Sequence, residues 1–374
     1  MIMKILLLLL TLTFMACGNE QAKEEPGLKD ALEGKFEIGV ALNTRQAAGM
    51  DTLATEIVQK HFNAIVAENA MKSGELLNEE REYDFTQADE LVQFGVDNDM
   101  SIVGHCLIWH SQLPRWFCVD ENGENVSPEV LKERMRDHIY TVVGRYKGVI
   151  KGWDVVNEAI LEDGSYRNSQ FYQILGEEFI PLAFQYAHEA DPDAELYYND
   201  YNEWYPGKRE TVLRLIDTLK VRGLRIDGIG MQGHIGMDRP TLEEYQATIN
   251  DYANAGVKVL VTELDMSALP EPRRIGGAEL TDREAYRREI DPYTEGLPEE
   301  VSLEWNNRMM DFFNLFLENS DNIIRVTMWG VTDGDSWKNG FPVRGRTDYP
   351  LLFDRDYNPK PVVDQLISEL TEQK

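Results

Sequence analysis

From Phe36 onward, short apolar runs alternate with amphipathic stretches whose apolar positions recur every three or four residues, and the alternation continues toward the C-terminus without a linker. Such a pattern predicts parallel strands joined by helices. Eight strand-like runs stand out: Phe36 to Leu42, Asn63 to Ala67, Ser101 to Trp109, Val149 to Asn157, Glu195 to Asn199, Ile226 to Gln232, Val257 to Leu264 and Ile323 to Trp329. Helix-like segments such as Pro128 to Tyr146 and Phe171 to Ala190 lie between them, with Gly or Asp at many of the turns. Eight strand and helix units in about 340 residues suit a closed (β/α)8 TIM barrel of the α/β class better than an open doubly wound sheet. The single barrel domain is expected over residues 35–372.

The N-terminal stretch does not join this pattern. One cation, Lys4, precedes an apolar run from Ile5 to Ala16 that stops at Cys17. The run is shorter than the roughly 20 residues needed to span a bilayer, so residues 1–17 read as a signal peptide. Phe14, Met15, Ala16 and Cys17 resemble a bacterial lipoprotein signal, which implies lipidation at Cys17 and an exported, membrane-anchored protein, periplasmic or at the cell surface. Residues 18–34 are polar and acid-rich and read as a tether.

Composition narrows the partners. The 374 residues are 43% hydrophobic and 10% aromatic, enough for one large core and against disorder over most of the chain. A net charge of −29 would repel nucleic acids and anionic membrane surfaces. A neutral or small partner is expected, with no nucleic acid and no membrane contact beyond the lipid anchor. The three cysteines cannot staple a chain this long; Cys106, inside an apolar strand, and Cys118 are expected as free thiols, with a bridge between them the alternative.

Active sites of such barrels form where the strands end at their C-terminal edge. GWDVVNEA, ending its strand at Glu158, and VLVTELD, holding Glu263, each place a glutamate where apolar strand gives way to loop. They fall on the fourth and seventh strands, which face each other across the mouth, and two carboxylates straddling a substrate suit glycoside hydrolysis. Strand alternation puts Asp154, Val156 and Glu158 on one face, Glu263 with Asp265, Gln232 with His234, and His105 with Leu107 and Trp109. Gly228, Gly230 and Gly233 satisfy a G-x-G-x-x-G spacing, but inside a strand rather than in a turn opening a helix, so dinucleotide binding is set aside. His105 and His110 would lie on opposite strand faces, and no metal site or cofactor is expected.

GHCLIWH (Gly104 to His110), WDVVNEA (Trp153 to Ala159), YYNDYN (Tyr197 to Asn202), QGH (Gln232 to His234), TELD (Thr262 to Asp265) and FNAIVAENAMK (Phe62 to Lys72) together resemble glycoside hydrolase family 10, the endo-β-1,4-xylanases, from about Phe36 to about Leu370. The resemblance implies a retaining double displacement on xylan and xylo-oligosaccharides, with Glu158 as acid/base and Glu263 as nucleophile. It implies that Glu68, Asn69, Lys72, His105, Trp109, Asn157, Gln232, His234, Trp329 and Trp337 line the sugar site just before the scissile bond. Tyr201 and Asn202 would lie on the leaving-group side or beside the acid/base, and Asp265 would hold His234. Packed indoles near C5 would favour xylose over glucose. A β-glycosidase or cellulase on the same barrel, or a surface glycan-binding lipoprotein without catalysis, are the competing readings. The long connection from Ala268 to about Val301 is expected either to rim the cleft and shape its distal subsites or to be a solvated excursion.

Overall fold

The computed structural model describes residues 25–271 and 286–372. The leader, Cys17 and most of the tether lie outside the described residues, as does the middle of the Ala268 to Val301 connection. The strands are β1 Glu37–Leu42, β2 Ala64–Ala67, β3 Ser101–Trp109, β4 Gly152–Asn157, β5 Glu195–Asp200, β6 Gly228–Met231, β7 His234–Gly236, β8 Lys258–Ser267 and β9 Ile323–Met328. Each barrel strand pairs in parallel with the next, β6 pairs with β8 and β9 returns to β1, so eight strands close a barrel as the hydrophobic pattern predicts. The short β7 continues the sixth position beyond Gly233 and pairs only with β8.

Apolar side chains cover both faces of the strands, which is why the runs read as continuous rather than alternating. One large core fills the layer between strands and helices, with Trp153, Trp305, Tyr245 and Phe184 among its fully buried members. A second, smaller cluster of Ala41, Val66, Val103, Tyr197, Leu260 and Trp329 packs separately. Beneath it, the buried Arg325 guanidinium meets Glu37 Oε2 at 3.4 Å and donates to the Tyr197 hydroxyl at 3.3 Å. A charge so deep is tolerable because it is paired and hydrogen-bonded.

Helix boundaries follow local chemistry. Ser127 caps the helix Pro128–Arg145, which has proline in its first turn. Thr241 and Glu244 form a reciprocal capping box at the start of the helix Leu242–Asn254. The segment expected as one helix from Phe171 to Ala190 is instead two, Gln170–Leu175 and Phe179–Ala190. Gly176 between them adopts φ of 60°, which ends the first helix in a conformation glycine takes without strain.

Three boundaries move, the first being that of β8, which runs on to Ser267 instead of ending at Leu264. The fourth strand begins at Gly152 rather than Val149, because Val149 and Ile150 are held in a turn by bonds to the Tyr146 carbonyl. The tether expected through residue 34 ends earlier. Leu28, Ala31 and Leu32 are buried, and the short helix Leu28–Ala31 packs near the C-terminal helix Pro361–Glu372 and the helix Thr52–His61. Its polar flanks hide a small apolar face, too short to register as periodicity. Cys106 and Cys118 are both buried free thiols.

Candidate active site

Glu158 follows the last residue of β4, whereas Glu263 lies inside β8, which continues for four residues beyond it rather than giving way to loop there, at a point where the pairing with β9 shifts register. Glu158 Oε2 accepts from Trp109 Nε1 at 3.0 Å, and its Oε1 accepts from Gln232 Nε2 at 3.1 Å. Glu263 Oε1 accepts from Asn199 Nδ2 at 2.8 Å, and its Oε2 faces His234 Nε2 at 3.2 Å. Asn157 joins the halves: its Oδ1 accepts from Gln232 Nε2 at 3.3 Å and from Asn199 Nδ2 at 3.0 Å. A continuous run of side-chain amides therefore links the two carboxylates.

His234 sits between acids. Its Nδ1 lies 3.0 Å from Asp265 Oδ2, close enough for an ion pair although not aligned for a straight hydrogen bond. Burial alone would lower the imidazole, but Asp265 and Glu263 outweigh it and raise it to about 9. The ring is thus an imidazolium at neutral pH and donates to Glu263. Burial pushes the Glu263 carboxyl up, and the His234 bond, the nearby His105 and His234 charges and the Asn199 amide bring it below the ordinary carboxylate range. Asp265 is also held low against burial, by His234, Lys338 and Trp337, whose Nε1 donates to Asp265 Oδ2 at 2.8 Å. Lys338 Nζ stands 3.2 Å from Asp265 Oδ1.

The remaining residues gather around these groups. His105 Nδ1 meets Asp154 Oδ2 at 2.8 Å, and the His105 ring packs edge-on against Trp329 with centroids 5.3 Å apart. Lys72 Nζ donates to Asn69 Oδ1 at 2.9 Å and lies 5.0 Å from the centre of the Trp109 ring. Glu68 is electrostatically joined to this group, raised by burial and partly offset by Lys72 and Asn69. Trp337 packs on His234, with centroids 5.0 Å apart. Tyr201 reaches Glu158 through Arg167, whereas Asn202 Nδ2 donates to Glu162 Oε1 at 3.2 Å.

Strict alternation fails in β4. The register shifts between Asp154 and Val156, so Val156 packs in the outer core while Asn157 turns inward. Glu158 reaches the mouth by a different route, with its backbone at φ of 58°. In β3 the register shifts between His105 and Ile108, and Leu107 joins the outer core rather than the face of His105 and Trp109.

Four residues outside the expected set complete the site: Asn199, Arg167, Thr262 and Lys338. Thr262 Oγ1 donates to Asn199 Oδ1 at 2.6 Å, which fixes the amide with its nitrogen toward Glu263. Asn199 lies two residues after Tyr197 in β5 and is fully buried. Gly230 gives it room, since a Cβ there would stand 2.3 Å from Asn199 Oδ1.

A closed parallel barrel whose mouth holds two bonded glutamates among amides, histidines and indoles defines a glycoside hydrolase of the two-carboxylate type. The sequence matches the model of glycosyl hydrolase family 10 over residues 27–369, and the chain belongs to that family. It is 49% identical over 347 residues to endo-1,4-beta-xylanase A of Xylanibacter ruminicola, covering 92% of this chain and 94% of that protein. It is 40% identical over 345 residues to an endo-1,4-beta-xylanase of Geobacillus stearothermophilus, covering 92% and 98%. Among solved structures, a GH10 endoxylanase from a sugarcane soil metagenome superposes with a TM-score of 0.86 at 42% identity, covering 92% of this chain and 99% of that one.

Proposed function

We propose that this protein is an endo-1,4-β-xylanase that cleaves internal linkages of xylan with retention, using Glu263 as nucleophile and Glu158 as acid/base. The observation that carries the reading is the amide run joining the two carboxylates, which fixes both around one position at the barrel mouth. Family membership and xylanase relatives spanning nearly the whole chain support the substrate class, as does a 33% identical structural neighbour solved as a mutant in complex with xylotriose.

Glu263, kept ionised by His234 and aimed by Asn199, attacks the anomeric carbon as the C–O bond to the leaving sugar breaks. Glu158 gives its proton to that glycosidic oxygen, and a glycosyl ester on Glu263 results. Water then attacks the same carbon, Glu158 takes the water's proton, and the ester bond breaks to restore the Glu263 carboxylate. Asn157 has its carbonyl oxygen occupied by Gln232 and Asn199, and one hydrogen of its Nδ2 donates to Glu158 Oε1 at 3.4 Å, so the second hydrogen is the one that donates to the sugar 2-hydroxyl. Trp329 and Trp337 supply flat apolar faces beside the sugar and crowd the space a hydroxymethyl arm would need.

Reducing ends released from xylan and from cellulose test the substrate. Glu263→Ala is expected to abolish measurable cleavage, and Glu158→Ala to lower kcat/KM on xylan by about 10²–10⁴-fold. A Glu263→Ala protein cleaving xylan at the parent rate would sink the assignment. The N-terminal segment is proposed to export and lipidate the chain at Cys17. Cys17→Ser is then expected to shift activity from the membrane fraction to the soluble one, and unchanged partition refutes the anchor.

A further inference from the structure

Glu158 holds a left-handed backbone conformation, φ of 58°, that a side chain with a Cβ does not adopt unless its surroundings impose it. Three ties impose it here. The Glu158 amide donates to the Asn199 carbonyl at 2.9 Å, and the next amide, of Ala159, donates to the Tyr198 hydroxyl at 3.1 Å. The third tie is Arg167, whose Nε donates to the Glu158 carbonyl at 2.8 Å while its Nη2 donates to the Tyr201 hydroxyl at 2.8 Å.

The guanidinium is itself held. The main-chain amide of Arg167 donates to the Ala159 carbonyl at 2.8 Å, and Ile160 bridges Tyr166 in a small antiparallel turn. Lys208 Nζ donates to the Tyr201 carbonyl at 2.7 Å and stands 4.0 Å from the centre of its ring, so the second arm of the fork ends on a fixed partner. A planar, permanently charged fork makes stronger and better-directed bonds to a carbonyl and a hydroxyl than a neutral donor does.

We propose that Arg167 is a positioning residue of the reaction, clamping the main-chain carbonyl of Glu158 so that the acid/base stays aimed at the glycosidic oxygen, and tying that backbone to Tyr201. The inference deepens the reading of Glu158 as acid/base and rests on it. Without the clamp the peptide plane after Glu158 relaxes, and the Cα–Cβ direction of the acid turns with it. Angular misplacement of a general acid lowers proton transfer much more than it lowers binding.

The test uses a series of aryl β-xylobiosides, whose leaving groups need acid assistance to different degrees and carry no sugar beyond the cleavage point. For Arg167→Met, kcat/KM is expected to fall about 10–100-fold with a phenol of pKa near about 10 and less than about threefold with a dinitrophenol of pKa near about 4, which steepens the slope against leaving-group pKa. Arg167→Lys, which keeps the charge and one donor, should steepen the slope less, and it carries the test if the methionine variant fails to fold by circular dichroism. Tyr201→Phe removes only the partner of the second arm and leaves the bond to the Glu158 carbonyl, so it should steepen the slope less than Arg167→Met does. Parent-like slopes in both Arg167 variants overturn the proposal. So does a Tyr201→Phe slope as steep as that of Arg167→Met, because the effect would then belong to the hydroxyl. Glu158→Ala separates the two levels: if it fails to steepen the slope, the acid/base reading falls, and if it alone steepens it, only the role of Arg167 falls.

Discussion

His234 carries two carboxylates at once, and its raised imidazole gives the site a pH dependence with a definite sign. The group titrates at about 9 in the fold against an ordinary 6.5, so it is stabilised in the protonated form. Its contribution is complete below about 6.5 and is lost as the pH rises through about 9, up to about 3 kcal/mol. The melting-temperature gap between the parent and His234→Gln should therefore be largest between the ordinary carboxylate range and pH 6.5, shrink in stronger acid as Glu263 and Asp265 take up protons, and converge from pH 6.5 to 9. A gap that stays constant across that window refutes the imidazolium. His234 and Glu263 were both legible in the sequence because each belongs to a short polar motif at a strand end. Asn199, equally bound to Glu263, lies inside the YYNDYN motif but is only singled out once its amide is seen between Asn157 and Glu263.

Neighbouring strands prepare each other's side chains. Gly230 in β6 is bare so that Asn199 in β5 can lie across it and reach Glu263 in β8. Gly230→Ala should displace the Asn199 amide and lower kcat on xylan about tenfold or more while the fold survives, with circular dichroism as the control. Parent-like kcat would show that Asn199 is dispensable. The glycine spacing that superficially resembled a nucleotide-binding loop has this packing use at one of its positions. Strand parity is right wherever the ladder is regular and wrong for Val156 and Leu107, where register shifts in β4 and β3 consume a residue.

Across the molecule, the described shoulders of the long seventh connection are tied to the loop that follows β9. Arg346 donates to the carbonyls of Pro270 at 2.8 Å and Ile290 at 3.0 Å, and the Thr347 amide donates to Asp291 at 2.9 Å. These bonds set the described residues on either side of the connection's middle beside the segment that supplies Trp337 and Lys338. The net charge of −29 acts at the same scale. It leaves neutral xylo-oligosaccharides alone and repels chains carrying uronic acid groups over distances comparable to the screening length. Raising salt from low to about 0.5 M should lift kcat/KM severalfold on a uronate-decorated oligosaccharide and leave an undecorated one flat. Equal responses of the two substrates would remove any role for the overall field.

Hydrophobic periodicity and motif order by themselves determined the eight strands, the closed barrel and the pair of glutamates, since burial on both strand faces and acids at strand ends are local patterns. Tertiary structure alone decided how Glu158 is aimed, that Val156 packs outward instead of sharing the face of Glu158, and that Arg167, Thr262 and Lys338 belong to the site. The physical reason is that a register shift or a left-handed residue takes its shape from partners on other strands. Such partners come together only when the ring of strands has closed.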